Sequence, residues 1–215
     1  MNGQKRFNEY FAKLILKYCY KDKYSNLQIV DKPDLRDMEH NIGIEVVYSM
    51  EQDRSEALFL QRQISCCADE NRKVKLQKKL DTIHKKHKND NYEYEYYGNF
   101  ANGVEDTYLK EIFDCVRNKL DKLNKCLNYE ELDSYELFIN SAVPISEFGE
   151  QFDVLDKLEE INQGERKFDV IHVLACYDLI TFDMLNKQIE RKKLYYFYER
   201  IGKAAEELMN NPPLD

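Results

Sequence analysis

Asp34 directly follows Pro33, and eleven residues later Glu45 interrupts the run Ile42-Gly43-Ile44-Glu45-Val46-Val47-Tyr48. That run is β-branched and otherwise apolar, which suits a strand covered on both faces. An ionised carboxylate inside such a strand is costly unless it is paired or holds a cation. The polar residues between Asp34 and Glu45 predict a hairpin that sets the two acids on adjacent strands. Two neighbouring carboxylates repel each other, and a hard divalent cation relieves the repulsion. Mg²⁺ typically uses one or two carboxylates together with waters and substrate phosphate oxygens. The pair therefore suits metal-assisted hydrolysis of a phosphodiester, in which the ion activates water and stabilises developing charge. The expected ligands are Asp34 and Glu45, the expected ion Mg²⁺ or Mn²⁺, and the expected partner a nucleic acid, DNA or RNA.

Pro33-Asp34 followed by the strand Ile44-Glu45-Val46-Val47 resembles the motif of the PD-(D/E)XK nuclease superfamily, which includes restriction endonucleases and many repair and phage nucleases. The resemblance implies a restriction-endonuclease-like α/β fold, a mixed central sheet flanked by helices, with Asp34 and Glu45 as metal ligands. It also implies a Lys two residues after the second acid, which helps orient the attacking water. Here that position is Val47, a departure from the pattern. Families in the superfamily relocate the polar group to the following helix, for which Gln61, Gln63 and Arg54 are the candidates and Gln61 the preferred one. Many of these nucleases add a Glu from the first helix, and the matching residue is Glu9. With Tyr10, Phe11 and Leu14 facing the core, 100° per residue puts Glu9 on the solvated side of that helix.

Positioning these groups requires a particular order of elements. Phe7, Tyr10, Phe11, Leu14, Ile15, Tyr18 and Cys19 recur at helical spacing and predict a helix from about Lys5 to Tyr20. Asn26 to Val30 reads as a short strand, and Pro33, lacking an N–H, limits any central ladder there. From Ser55 the pattern is helical through Leu60 and Ile64 into a basic stretch. Tyr92 to Gly98 reads as a loop or a short alternating strand. Val104 to Leu127 is an amphipathic helix with Ile112, Val116, Leu120 and Leu123 on its buried face. Tyr135 to Val143 reads as a strand stopped by Pro144. Ser146 is the expected N-cap of a helix reaching Ile161, and Gln163-Gly164 ends it. Phe168 to Cys176 is a second buried strand, Leu179 to Phe182 its return, and Tyr195 to Met209 a closing helix. Strands alternating with helices predict a mixed sheet between helical layers. The whole chain, 1–215, reads as one nuclease-like domain with an insertion at about 69–102.

The chain's net charge of −8 does not suggest a general nucleic-acid binder, but charge is unevenly spread. Arg72, Lys73, Lys75, Lys78, Lys79, Lys85, Lys86 and Lys88 face a single acid, Asp81, so this segment carries +7 and the remainder −15. A basic helical insertion on an acidic body fits a phosphate-facing arm, and equally a solubilising face. None of the six cysteines forms a C-x-x-C pair, and the histidines lie at no zinc-finger spacing. Free thiols within apolar patterns and the lack of a signal-like or membrane-spanning run point to the cytoplasm and to no membrane partner. His84 and His87 read as surface residues, His172 as a hydrogen-bonded core residue, and Tyr92 to Tyr97 as an aromatic patch able to stack on bases. The reading is a metal-dependent nuclease. The alternative is a catalytically inactive nuclease-fold protein, phage or defence related, that binds nucleic acid or a protein partner. Val47 is the residue favouring it. A third reading is an unrelated α/β fold in which Glu45 has a structural partner such as a buried Arg.

Overall fold

The computed structural model describes residues 3–49, 56–57, 60–61, 63–64, 67–86, 105–126, 130–141 and 151–212. Arg54, Lys88, His87, Tyr92 to Tyr97 and Ser146 lie outside them. The chain divides into two compact units, Met1–Ser49 with Tyr108–Asp215, and Met50–Thr107.

The first unit is an α/β body built on an open, mixed sheet of seven strands in sequential order. Helix α1 (Gly3–Cys19) leads into β1 (Gln28–Ile29), β2 (Leu35–Asp37) and β3 (Ile42–Tyr48). Helix α2 (Glu70–Lys86) belongs to the second unit. Helix α3 (Glu105–Lys125) precedes β4 (Ser134–Ser141), then come α4 (Gln151–Ile161), β5 (Val170–Ala175), β6 (Asp178–Asp183), β7 (Gln188–Lys193) and α5 (Tyr195–Asn210). The β3–β4 and β4–β5 pairs are parallel and the other pairs antiparallel. Parallel neighbours need a crossover, and the helical segments before β4 and β5 supply it.

The central strands are buried on both faces, with Ile44, Leu137, Phe138, Ile139, Ile171 and Val173 fully enclosed. Each such side chain contributes ~1.5–3 kcal/mol relative to exposure. Ile112, Val116, Leu120 and Leu123 form the buried stripe of α3, as their spacing predicts. β7 has no counterpart in the sequence reading. Its residues, Gln-Ile-Glu-Arg-Lys-Lys, are mostly exposed and charged, with no apolar run to signal a strand. It pairs along all six residues of β6, and a charged edge of this kind discourages pairing with other chains.

One face of the sheet carries a buried polar chain that ties α1 and the loop after it to β4, β5 and β6. The Tyr20 hydroxyl donates to Thr181 Oγ1 at 2.7 Å, and Thr181 Oγ1 lies 2.9 Å from His172 Nδ1. His172 Nε2 is 3.0 Å from the Tyr24 hydroxyl, which donates to Glu136 Oε2 at 2.6 Å. Lys23 completes the chain on Glu136 Oε1 at 2.8 Å. Burial holds the pKa of the His172 imidazole below its ordinary value, against the opposing hydrogen bond and charge of Glu136. Burial alone would raise the Glu136 carboxyl, but His172 and Lys23 outweigh it and keep it low. His172 is thus a satisfied core residue, as its sequence context suggests.

In the second unit Ala57, Leu60 and Leu80 are buried together, with Ile64, Leu76 and Ile83 packed against them. Leu76, Leu80 and Ile83 give α2 its apolar stripe, leaving Arg72, Lys75, Lys78, Lys79 and Lys85 exposed. Among the described residues no helix is long and apolar enough to cross a membrane.

Candidate active site

The β2–β3 hairpin positions the two acids. Leu35 pairs with Ile44 and Arg36 with Gly43, so one further step of the antiparallel register sets Asp34 opposite Glu45. Asp34 is fixed there twice. Its carbonyl accepts from Val30 N–H at 3.1 Å, and its Oδ2 accepts from Val46 N–H at 2.8 Å. The side chain thus replaces a backbone acceptor where Pro33 ends the ladder. Gly43 makes the approach possible. A Cβ there would lie 2.7 Å from Pro33 Cγ and 2.3 Å from Leu132 Cδ1, well inside contact distance. Pro33 therefore crosses β3 at the only residue without a side chain, and Asp34 follows beside Glu45.

Both acids are buried, Asp34 at 4% and Glu45 at 7% exposure. The group that joins them is Lys119 of α3. Its ammonium donates to Glu45 Oε2 at 2.6 Å and lies 3.5 Å from Asp34 Oδ2. The two carboxylates are therefore no farther apart than the sum of those distances, within the ~8 Å that a carboxylate–Mg²⁺–carboxylate bridge can span. Lys119 is about four turns into a helix whose Val116, Leu120 and Leu123 are buried, so its backbone is anchored on either side. Its side chain is 14% exposed.

A second ammonium closes the other side. Lys5 of α1 sits 3.0 Å from Asp34 Oδ1 and 3.4 Å from Glu9 Oε1. Burial opposes the charge on Lys5, but the hydrogen bond and attraction of Asp34, with Glu9 adding to them, raise its pKa. Glu9 corrects the sequence reading. It is not on a solvated face but has no exposure at all. Helical periodicity marks a buried face only where one side of the helix is covered, whereas every residue from Phe7 to Ala12 is buried. Both Glu9 carboxylate oxygens lack a hydrogen-bond partner among the described residues and have only the longer ionic contact with Lys5. Burial accordingly raises the Glu9 pKa, with Lys5 opposing and Asp34 reinforcing.

Val47 occupies the position two residues beyond Glu45, on the same strand face by period-two geometry. It lines a groove of about 800 Å³ with Lys32, Tyr48, Asn118, Lys119, Lys122 and Lys125 among the walls. Four lysines thus border the groove together with Asp121, which pairs with Lys125, and of these Lys119 reaches both buried acids. Gln61, the residue preferred for the missing Lys, is exposed in the second compact unit. Lys5 and Lys119 went unnoticed in the sequence. Lys119 does sit in the helix before β4, but α3 offers Lys110, Lys119, Lys122 and Lys125, and periodicity alone does not choose among them.

The donor set fits a hard divalent cation. Asp34 and Glu45 supply carboxylate oxygens, and Glu9 is joined to Asp34 through Lys5, which contacts both. Among the described residues no group of three or more His, Cys, Asp or Glu converges as a metal cluster. Two carboxylates with waters and phosphate oxygens match Mg²⁺ better than they match a closed Zn²⁺ or Ca²⁺ cage. Comparisons with protein-family models, curated proteins and solved structures find no match for this chain.

Proposed function

We propose that the chain is a metal-dependent nuclease of the PD-(D/E)XK type, in which Lys119 replaces the Lys missing at Val47. The observation that carries this reading is the Lys119 ammonium, held 2.6 Å from Glu45 and 3.5 Å from Asp34 by a helix rather than by the strand. The motif needs two acids and one ammonium in contact, and the residue just before β2, one in β3 and one in α3 would supply that trio.

Asp34 and Glu45 would hold Mg²⁺ or Mn²⁺, which supplies water activation and neutralises charge on the phosphate when bound. Lys119 orients the attacking water by donating to it and stabilises the charge that develops on the phosphate oxygens. Lys5 and Glu9 hold Asp34 in place and set the charge balance around it. Lys32 and Lys122, which line the groove, would meet the phosphate backbone.

One observation favours the non-catalytic alternative. Each of the two acids already has an ammonium partner, as in a structural ion-pair cluster. The two readings part on metal binding. In the nuclease, Mn²⁺ titrated calorimetrically binds the wild type, and Asp34→Asn and Glu45→Gln each abolish both binding and cleavage of an oligonucleotide. Because the acids act as one unit, the double variant is no worse than either single variant. Absence of metal binding in the folded wild type would reject the nuclease and leave the cluster a structural one.

A further inference from the structure

At the end of α1 remote from Glu9, the surface carries a band of aromatic rings that the core does not absorb. Tyr18, Tyr177, Tyr195, Tyr196 and Phe197 are all exposed, Tyr196 at 89%. They come from three elements, α1, the turn between β5 and β6, and the first turn of α5. The rings are mutually arranged. Tyr18 and Phe197 lie 4.6 Å apart between centroids, Tyr177 and Tyr195 5.8 Å, and Tyr177 and Tyr198 5.2 Å edge to face. Tyr198 in turn packs edge-on against buried Phe11 at 5.3 Å, so the band is anchored to the core. The turn is fixed as well, because Leu194 N–H donates to the Tyr177 carbonyl at 2.6 Å. An exposed apolar area held this rigidly marks an interaction surface.

Cations accompany the rings. Lys193 sits over the Tyr195 ring at 5.7 Å, and Lys192 over Tyr20 at 3.7 Å. Lys17 precedes Tyr18 on α1, and Lys13 lies one turn before it. Among the described residues, Lys13, Lys17 and Lys193 form no ion pair. Burial and then repulsion from Lys17 lower the pKa of Lys13, as expected of positive charge without a local counter-ion.

We propose that this band is a stacking platform for single-stranded nucleic acid. Bases of any sequence stack on exposed rings, while ammonium groups beside them meet the phosphates. Charge decides between this partner and a second copy of the chain. A two-fold contact would bring this cationic patch against an equally cationic patch of the other copy, whereas a phosphate backbone neutralises it. The proposal rests on the nuclease reading and deepens it by naming a substrate with a single-stranded tract. Glu9 and Tyr18 are separated by roughly 14 Å along α1.

The test is fluorescence anisotropy of labelled oligo-dT and oligo-rU of roughly 12 nucleotides, with EDTA present so that nothing is cut. The wild type binds, Tyr195→Ala/Tyr196→Ala weakens binding roughly tenfold or more, and Tyr196→Phe retains it. Lys17→Gln/Lys193→Gln flattens the salt dependence. Tyr196 is nearly fully exposed, so its replacement leaves the fold intact, which circular dichroism verifies. Wild-type affinity in the double Tyr variant, or no oligonucleotide binding by the wild type, overturns the platform. So does a wild-type dimer in light scattering that the Tyr variant dissociates, which assigns the face to self-association. Asp34→Asn is assayed in parallel. Loss of cleavage in that variant together with unchanged oligonucleotide affinity in the Tyr variant rejects the platform while sparing the nuclease. Loss of affinity in the Tyr variant without any Asp34-dependent cleavage does the reverse.

Discussion

Glu9 is the residue at which the chemistry and the stability of the molecule meet. Its carboxyl is buried with no hydrogen-bond donor among the described residues, and burial raises its pKa above the ordinary 4.5. The folded state therefore holds this proton more tightly than the unfolded chain does. The stability associated with it is fully present below the ordinary value and is lost as pH rises through the raised folded one. Glu9→Gln removes the titration. Thermal denaturation should show the variant more stable than the wild type at neutral pH, with the gap closing as pH falls towards 4.5. Millimolar Mg²⁺ should narrow the gap from the other side, by stabilising the ionised wild type. An equal separation at all pH values would show that Glu9 is not the titrating group. Sequence pattern did not reveal this residue's burial, because helical periodicity finds a face only when one side of the helix is covered. Asp34 and Glu45 were readable because each breaks a local rule, one as an acid at a proline-terminated strand end and the other as an acid within an apolar strand.

At the scale of elements, the site depends on how closely the hairpin approach packs against β3. Pro33 and Leu132 both occupy the space that a side chain at position 43 would fill. Gly43→Ala should therefore displace Pro33 and draw Asp34 away from Glu45. Overpacking of this kind costs ~1–3 kcal/mol, and urea denaturation would measure it. The same variant should lose metal affinity by more than its stability loss suggests, since the ligand pair itself is spread. Unchanged metal affinity in a destabilised variant would separate the glycine from the site. The strands β3, β4 and β5 were legible because they are long apolar runs, and β6 because it returns directly along β5. β7 was not, since an edge strand buries little and its charged residues resemble loop. Lys119 was hidden for a related reason. Its role depends on which turn of α3 passes over Glu45, and that is fixed by the packing of Val116, Leu120 and Leu123 rather than by any local motif.

The molecule as a whole carries −8, yet the groove that Lys119 lines is also bordered by Lys32, Lys122 and Lys125 against one acid, Asp121, and α2 displays exposed cations in the second unit. Concentrating positive charge where phosphate is expected, on an otherwise acidic surface, favours local capture over general adhesion to nucleic acid. All of this is organised around one ammonium supplied from a helix. The most direct test is the Mn²⁺-dependent rate at which the wild type, Lys119→Gln and Lys119→Gln/Val47→Lys cut one labelled oligonucleotide, with folding checked by circular dichroism. Position 47 lies on the Glu45 face of β3 and borders the same groove, so a Lys there returns the ammonium to the strand. The expected result is cleavage by the wild type, a loss of roughly 10²–10⁴-fold in Lys119→Gln, and partial recovery in the double variant. Cleavage that is indifferent to Lys119, or a folded wild type that cuts nothing with Mn²⁺ bound, would contradict it.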